Sequence, residues 1–516
     1  MKLAFVSAGM MIPELGQIGT ALNRGGLEDL SGHIIEGLVK RGISVIPITY
    51  GYPVNWRTGE AVDYRQSPAR FLFDLEVKIH YLSRTVPVFG IDRAGALVYL
   101  INDPIAGVLY PSIGGEKLKQ TAFLGKAVVA LLEKLGVPDL VWAQEYIAAA
   151  TLFPTMRDNP AFAKTGYVLT VHTPSRAAMD TFPADWYDGL AIDRCYWNRY
   201  VYGHAIDPTF GSLRLADAVT AVSEEHAEVS RKMFPGIQFE GIMNGTSRDF
   251  FLSPHVNKYQ DPDPRQLYEA HQADKFELIE LIRSKLGRAP NPDEPLVGAV
   301  RRLDGYKNQY PMLKDHIAAI CADRGEKVGE LRGLGANVVI GGVAHESDNV
   351  CRYWMQEFRQ WMNDPRLKGR FFYVDDYNAN LRWKAAAGSD LWLVCPWPLW
   401  EACGTSDFVA KINGNPNIAT RSGGIKEHGT EFNPETGAGD TLFIEPYDSN
   451  AMFLKLGKGC EWFYRFRDYG DGPWLRLRAN NFESGKRLDI TTMIDRYRER
   501  VFNPLLDKMN SMQYAA

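Results

Sequence analysis

The sequence predicts an α/β protein made of two doubly wound sheets. Two observations predict it. Short apolar runs alternate with helical patterns along the whole chain, which is how parallel strands joined by crossover helices read in a sequence. The chain also has 516 residues, more than one hydrophobic core usually organises. A polar, proline-punctuated stretch, Ser253-Pro254-His255 to Asp261-Pro262-Asp263-Pro264, separates two sets of strands and is the expected inter-domain linker.

In the first half the expected strands are Leu3–Ser7, Ser44–Thr49, Leu140–Gln144, Tyr167–His172 and Ala218–Ser223. In the second half they are Leu296–Arg301, Asn337–Gly341, Phe371–Val374, Leu391–Cys395 and Leu442–Ile444. Helices are expected from Gly25-Gly26-Leu27 to about Arg41, and over about Asp274–Leu286. The segment from Asp489 reads as an amphipathic helix. The domains are therefore drawn at 1–260 and 261–475, with a helical tail at 476–516 free to cross back to the first.

Composition removes several function classes. A net charge of −4 and the lack of any Lys/Arg run argue against nucleic acid as a partner. No stretch reaches the roughly 18 apolar residues of a membrane helix, so no membrane partner is expected. The opening Met1–Met11 segment reads as a strand rather than a signal peptide, because a Pro-Glu turn follows it instead of a cleavage site. Six cysteines without CxxC spacing point to reduced thiols in a cytoplasmic protein, with no zinc and no disulfide framework. Twelve tryptophans suit carbohydrate stacking and large aromatic cores equally. Self-association is left open.

In doubly wound sheets, ligands bind beyond the carboxyl ends of the strands, so residues just after strands are the candidates. The most informative is Glu401-Ala402-Cys403-Gly404-Thr405-Ser406, which follows the run Asp390–Pro396. Backbone N–H groups at a helix start, here Gly404 and Thr405, attract an anion. Glu401 beside them suits hydroxyls, and a diphosphate carrying a sugar satisfies both.

Arg302 and Lys307 lie around the turn after the strand Leu296–Arg301 and can neutralise a diphosphate leaving group as charge develops on it. Arg24, Gly25 and Gly26 follow the first strand, where paired glycines admit a phosphate or sugar close to the backbone. His172 and Glu145 stand at strand ends and can meet sugar hydroxyls; capping a loop is the competing role for each. Asn244-Gly245 is a turn, and equally an ordinary hairpin signal. Tyr377 can stack on a base. The neighbouring Asp375-Asp376 lacks the Asp-x-Asp spacing, so no metal is inferred. A second glycine pair is Gly423-Gly424.

Taken in order, these segments resemble the glycogen/starch synthase family of retaining glycosyltransferases. Arg24-Gly25-Gly26-Leu27 is similar to that family's Lys-x-Gly-Gly-Leu, and Val98 to Pro104 with Tyr110 to a sugar-site segment. Ala143-Gln144-Glu145-Tyr146 stands where the family has Ala-His-Asp-Trp, and Thr170-Val171-His172 resembles Thr-Val-His-Asn. Ala216 to Ser223, Asn244-Gly245, and Arg302-Leu303 with Lys307 also match. Tyr373 to Gly424 looks at least as much like the α-glucan phosphorylases, which hold pyridoxal phosphate on a lysine. Val409 occupies that lysine's position, and valine forms no Schiff base. No cofactor is therefore expected.

The resemblance implies the GT-B arrangement, two Rossmann-like domains facing a deep cleft. It implies transfer of a glucosyl unit from a nucleotide diphosphate glucose, ADP- or UDP-linked, to an oligo- or polysaccharide acceptor. Catalytic roles then fall to Glu401, Arg302, Lys307 and His172. Donor or phosphate binding falls to Arg24, Gly25, Gly26, Gly404, Thr405 and Tyr377, and sugar binding to Asn244, Glu145 and Tyr110. The alternatives are a cofactor-independent retaining phosphorylase, a small-acceptor glucosyltransferase, and a non-catalytic glucan-binding protein.

Overall fold

The computed structural model describes residues 1–18, 26–55, 58–80, 82–107, 109, 111, 114–176, 179–345 and 348–514. The chain divides into two compact units: Met1–Gly245 together with Ile490–Ala516, and Thr246–Asp489.

In the first unit the strands of the main sheet are β1 (Lys2–Val6), β2 (Ser44–Tyr50), β3 (Arg70–Ile79), β4 (Leu82–Arg93), β5 (Ala96–Ile101), β6 (Leu140–Gln144), β7 (Gly166–Val171), β8 (Ala218–Ala221) and β9 (Glu240–Gly241). They form one sheet in the order β9-β8-β7-β6-β1-β2-β5-β4-β3. β1 lies parallel between β2 and β6, with Leu3 opposite both Val45 and Leu140. Strands buried on both faces read as unbroken apolar runs, which is why β1, β6 and β7 stand out in the sequence. Between β2 and β6, where no strand is expected, the structure has three. β3 pairs antiparallel with β4, and β4 with β5. Along β3, Phe73 to Ile79 alternates apolar with polar residues, the pattern of a strand solvated on one face.

In the second unit the strands of the main sheet are β10 (Leu296–Val300), β11 (Asn337–Gly341), β12 (Phe371–Val374), β13 (Leu391–Val394), β14 (Asn417–Ala419) and β15 (Thr441–Phe443). Their order is β12-β11-β10-β13-β14-β15, and every pair is parallel. β14, Asn417-Ile418-Ala419, is not among the expected strands. The chain builds outward from β10 in one direction, then returns to lay β13 on its other side. That reversal is a topological switch point, and the crevice beyond the carboxyl ends of β10 and β13 is where such sheets bind ligands. The first unit has the equivalent reversal between β1 and β6.

The expected linker holds one short helix and runs into a long one. Ser253 caps the short helix Pro254–Asn257, its hydroxyl accepting from the His255 N–H at 3.1 Å. Asp263 caps Pro264–Leu286 in a reciprocal box, accepting from Gln266 N–H at 2.9 Å while Gln266 Oε1 accepts from the Asp263 N–H at 3.0 Å. Prolines at first helical turns wrote the sequence signal there, not flexibility. The chain divides instead at Gly245/Thr246 and again at Asp489/Ile490, rather than at 260/261 and 475/476.

The helix Trp474–Gly485 stays in the second unit, where the buried Arg478 donates to Asn415 Oδ1 at 2.9 Å. The following helix Ile490–Tyr497 belongs to the first unit. Asp495 accepts from Arg41 at 2.7 and 2.5 Å, and the Tyr497 ring lies 4.3 Å from that of Trp142. Among the described residues no helix is long and apolar enough to cross a membrane.

Candidate active site

Arg301 is the first residue beyond β10, and its N–H continues the ladder to Gly341 O at 2.9 Å. Its side chain is only 4% exposed. One nitrogen, Nη2, donates to both oxygens of Glu401, at 2.9 and 2.7 Å. Lys307 ends a one-turn 3-10 helix, Gly305–Lys307, and its Nζ also donates to Glu401 Oε1. Two cations thus hold one carboxylate, and the trio carries a net positive charge. Burial alone pushes the Glu401 carboxyl up; Arg301 and then Lys307 overcome it and hold the pKa down at about 2. Arg301 Nε and Nη1 are buried and have no hydrogen-bond partner among the described residues.

Arg302, the arginine the sequence assigns to the diphosphate, is the chain neighbour of Arg301. It is more than half exposed and ion-paired with Asp304 at 3.2 Å. Both faces of β10 are buried, and the side chain that reaches Glu401 is that of the first residue after the strand. The expected strand runs one residue further, to Arg301, so the structure and not the motif brings Arg301 to Glu401.

The Glu401 loop leads into the helix Ser406–Ile412. Thr405 stands at its N-cap position and makes no side-chain cap bond. A seven-residue helix has little dipole, so the positive potential here comes chiefly from Arg301 and Lys307. Gly404 sits between two carboxylates: a Cβ there would lie 3.1 Å from Glu401 Oε1 and 3.2 Å from Asp407 Oδ1. Asp407 is buried. Its Oδ2 accepts from His428 Nε2 at 2.9 Å, and Oδ1 has no partner among the described residues.

Lys411 is fully buried and locked. Its Nζ lies 2.9 Å from Asp440 Oδ2 and donates to His428 O at 3.0 Å and His428 Nδ1 at 3.1 Å. Nδ1 accepting from Lys411 leaves His428 Nε2 as the donor to Asp407, and burial followed by Lys411 lowers the imidazole pKa, keeping it neutral. Val409 faces the opposite way, 4% exposed, into a core with Phe251, Leu278 and Phe443. Tyr377 leans on that same core. The glycine pair after β14 supports the Glu401 loop from behind. Gly423 has φ 64°, and a Cβ on it would lie 2.2 Å from Glu401 O.

In the first unit, Glu145 directly follows β6 with φ 60°, a left-handed conformation that a non-glycine residue adopts at a cost. Its carboxylate accepts from His172 N–H at 2.7 Å and Thr173 Oγ1 at 3.3 Å. Burial nevertheless pushes its pKa up to about 7. His172 Nε2 lies 2.8 Å from Gln144 Oε1, and burial, then His226, hold its pKa down at about 3. Glu145, His172 and Gln144 therefore form one cluster beyond β6 and β7. Asn244 is buried near the end of this unit's first segment. Gly26 begins the helix Gly26–Lys40 with open space where a Cβ would be. Arg24, Gly25 and Tyr110 lie outside the described residues. Among the described residues no group of three His, Cys, Asp or Glu side chains could hold a metal ion.

Comparison with known proteins places these features in a family context. Residues 13–245 match the model of the starch synthase catalytic domain. A glycogen phosphorylase of Aquifex aeolicus is 26% identical, over 80% of this chain and 73% of its own. A glycogen synthase of Desulforudis audaxviator is 22% identical, over 94% of this chain and 93% of its own. The catalytic domain of starch synthase IV from Arabidopsis thaliana, solved bound to ADP and acarbose, superposes with a TM-score of 0.77 at 18% identity, covering 99% of both chains. The fold is GT-B.

Proposed function

We propose that this chain is a retaining glycosyltransferase of the glycogen and starch synthase type, moving a glucosyl unit from a nucleotide diphosphate glucose to an α-glucan. The observation that carries the reading is the buried Arg301–Glu401–Lys307 cluster at the second sheet's switch point, with two guanidinium nitrogens still unused. A net-positive, desolvated site with donors to spare suits a diphosphate whose charge grows as the sugar leaves. The likeness to a starch synthase solved with ADP and an oligosaccharide supports the same substrate classes.

In this reading the bond from the anomeric carbon to the diphosphate oxygen breaks, and its electron pair leaves with the nucleoside diphosphate. Lys307 and the free donors of Arg301 stabilise that charge, with exposed Arg302 available to the outer phosphate and the Gly404 and Thr405 N–H groups adding to it. An acceptor hydroxyl forms the new bond on the same face of the sugar and passes its proton to the departing phosphate oxygen. Glu401, kept ionised by its two cations, orients the sugar and stabilises positive charge at the anomeric carbon. Tyr377 is assigned to the base. In the first unit, Glu145, His172 and Asn244 are assigned to sugar hydroxyls.

The reading includes no pyridoxal phosphate. Val409 is packed in a core where the phosphorylase lysine would project, and Lys411 is committed to Asp440 and His428. Neither presents a free amine for a Schiff base. Six free cysteines support a cytoplasmic setting.

The experiment is an assay of glucosyl transfer from ADP-glucose and UDP-glucose to glycogen, run beside a glycogen-plus-phosphate arm. Transfer from either donor is the expected result. Release of glucose 1-phosphate in the phosphate arm, with no transfer, would replace the synthase reading with a phosphorylase one.

A further inference from the structure

The loop from β13 to Glu401 reads Pro396-Trp397-Pro398-Leu399-Trp400, without a charge. Trp397 is 49% exposed and Trp400 48%. The chain buries other tryptophans completely, Trp142, Trp392 and Trp474 among them, so two large exposed indoles within four residues call for a reason.

The loop is rigidly held. Trp397 N–H donates to Tyr306 O at 2.8 Å, which ties the loop to the turn carrying Lys307. Leu399 takes φ 68° and its N–H donates to Ser422 Oγ at 2.7 Å. Trp400 N–H closes a turn onto Trp397 O at 3.1 Å. The Trp397 ring lies 5.5 Å from that of Tyr447, whose hydroxyl donates to Cys395 O at 3.1 Å and accepts from Asn308 Nδ2 at 2.6 Å. Aromatic surface fixed in advance binds flat ligands without the entropy cost of ordering a mobile side chain.

We propose that Trp397 and Trp400 form a stacking platform for the α-glucan acceptor; this rests on the transferase reading above. A pyranose has an apolar C–H face rimmed by hydroxyls, which matches an indole face bordered by polar groups. An uncharged loop suits a neutral polymer rather than a charged partner. Strand order separates the platform from the base. Tyr377 follows edge strand β12, while the tryptophans follow β13, about 14 Å away at three strand spacings. Arg301 follows β10, which lies between those two strands. A donor with its base at the β12 end and its diphosphate at Arg301 presents its sugar to Glu401, and the next group along is the acceptor.

The test uses Trp397→Ala, Trp400→Ala, the double variant and the corresponding Phe variants in the full chain. Acceptor KM and donor KM are measured with maltoheptaose and the better nucleotide sugar, and maltoheptaose binding is titrated without donor. The expected result is an acceptor KM raised about ten-fold per alanine, largely restored by phenylalanine, with donor KM unmoved. Should the alanine variants unfold, as a thermal melt would reveal, the Phe variants still report through a smaller rise in acceptor KM. An unchanged acceptor KM in the folded double variant overturns the platform and leaves the transferase standing. A rise in donor KM alone assigns the indoles to the nucleotide and also overturns it. If the wild type transfers nothing, the transferase reading fails, and the titration decides the platform: binding lost in the alanine variants supports it, binding unchanged overturns it.

Discussion

A single nitrogen of Arg301 bridges both oxygens of Glu401, at 2.9 and 2.7 Å, leaving the rest of the guanidinium without a partner among the described residues. Such a contact constrains the carboxylate and keeps the arginine half available. The neighbouring Arg302 is exposed and answers to Asp304.

The two arginines should therefore separate in mutagenesis. Arg301→Ala strips a buried carboxylate of one cation, and breaking a buried pair costs about 3–5 kcal/mol, toward the low end here because Lys307 remains. Transfer should fall on the order of 100-fold or more, the usual loss when a preorganised donor at developing charge is removed. Arg302→Ala removes the exposed pair with Asp304, worth about 0–1 kcal/mol, so its effect should be a raised donor KM with little change in melting temperature. Thermal melts and steady-state kinetics on both variants check this; equal destabilisation would contradict it.

Glu401 also sets an acid limb of stability. Its carboxyl titrates near 4.5 in an unfolded chain and is held at about 2 in the fold. A depressed carboxyl contributes its full stability above the unfolded value and loses it as pH falls from about 4.5 toward 2. Urea unfolding of the wild type between pH 5 and pH 3, compared with Glu401→Gln, should show a shallower acid loss in the variant, which has no charge to protonate.

Glu145 should behave with the opposite sign. Burial raises its pKa from 4.5 to about 7, so between those values the folded state binds more protons than the unfolded one. Its contribution to stability therefore decreases as pH rises from about 4.5 to 7. Glu145→Gln should remove that decline, and urea midpoints at pH 5 and pH 7.5 measure it. His172, held at about 3, stays neutral throughout this range and should add no histidine limb near pH 6.5 to the activity profile.

Much of this was legible in the sequence, for physical reasons. Strands buried on both faces, such as β1 and β10, announce themselves as apolar runs, and Glu401 and Lys307 could be placed at a strand end before any coordinates. Three things were not legible. The antiparallel β3–β5 ribbon gives mixed signals: β3 alternates from Phe73, β4 is interrupted by Pro87 and Gly90, and only β5, Ala96–Ile101, is an apolar run. The Asp-Pro and Ser-Pro pairs near 253–264 carry the same residues whether they cap helices or link domains. Arg301 and Arg302 are identical in type and adjacent, so only the direction of the side chain leaving β10 distinguishes them.

The glycines around Glu401 give the sharpest contrast, because each meets the loop differently. Gly404 has an ordinary φ, and a methyl there would crowd the Glu401 and Asp407 carboxylates at 3.1 and 3.2 Å, tight contacts that side chains can relieve by small shifts. Gly404→Ala should fold with a near-normal melting temperature and lose activity by moving Glu401. Gly423 offers no such relief. Its φ of 64° costs an alanine about 1 kcal/mol before any contact is counted. The added methyl would lie 2.2 Å from Glu401 O and 2.8 Å from Ala402 O, both backbone atoms. Gly423→Ala must therefore shift the main chain that carries Glu401, and should lower the melting temperature as well as abolish transfer. Melts and kinetics on the pair test the idea, which fails if Gly423→Ala proves the milder of the two.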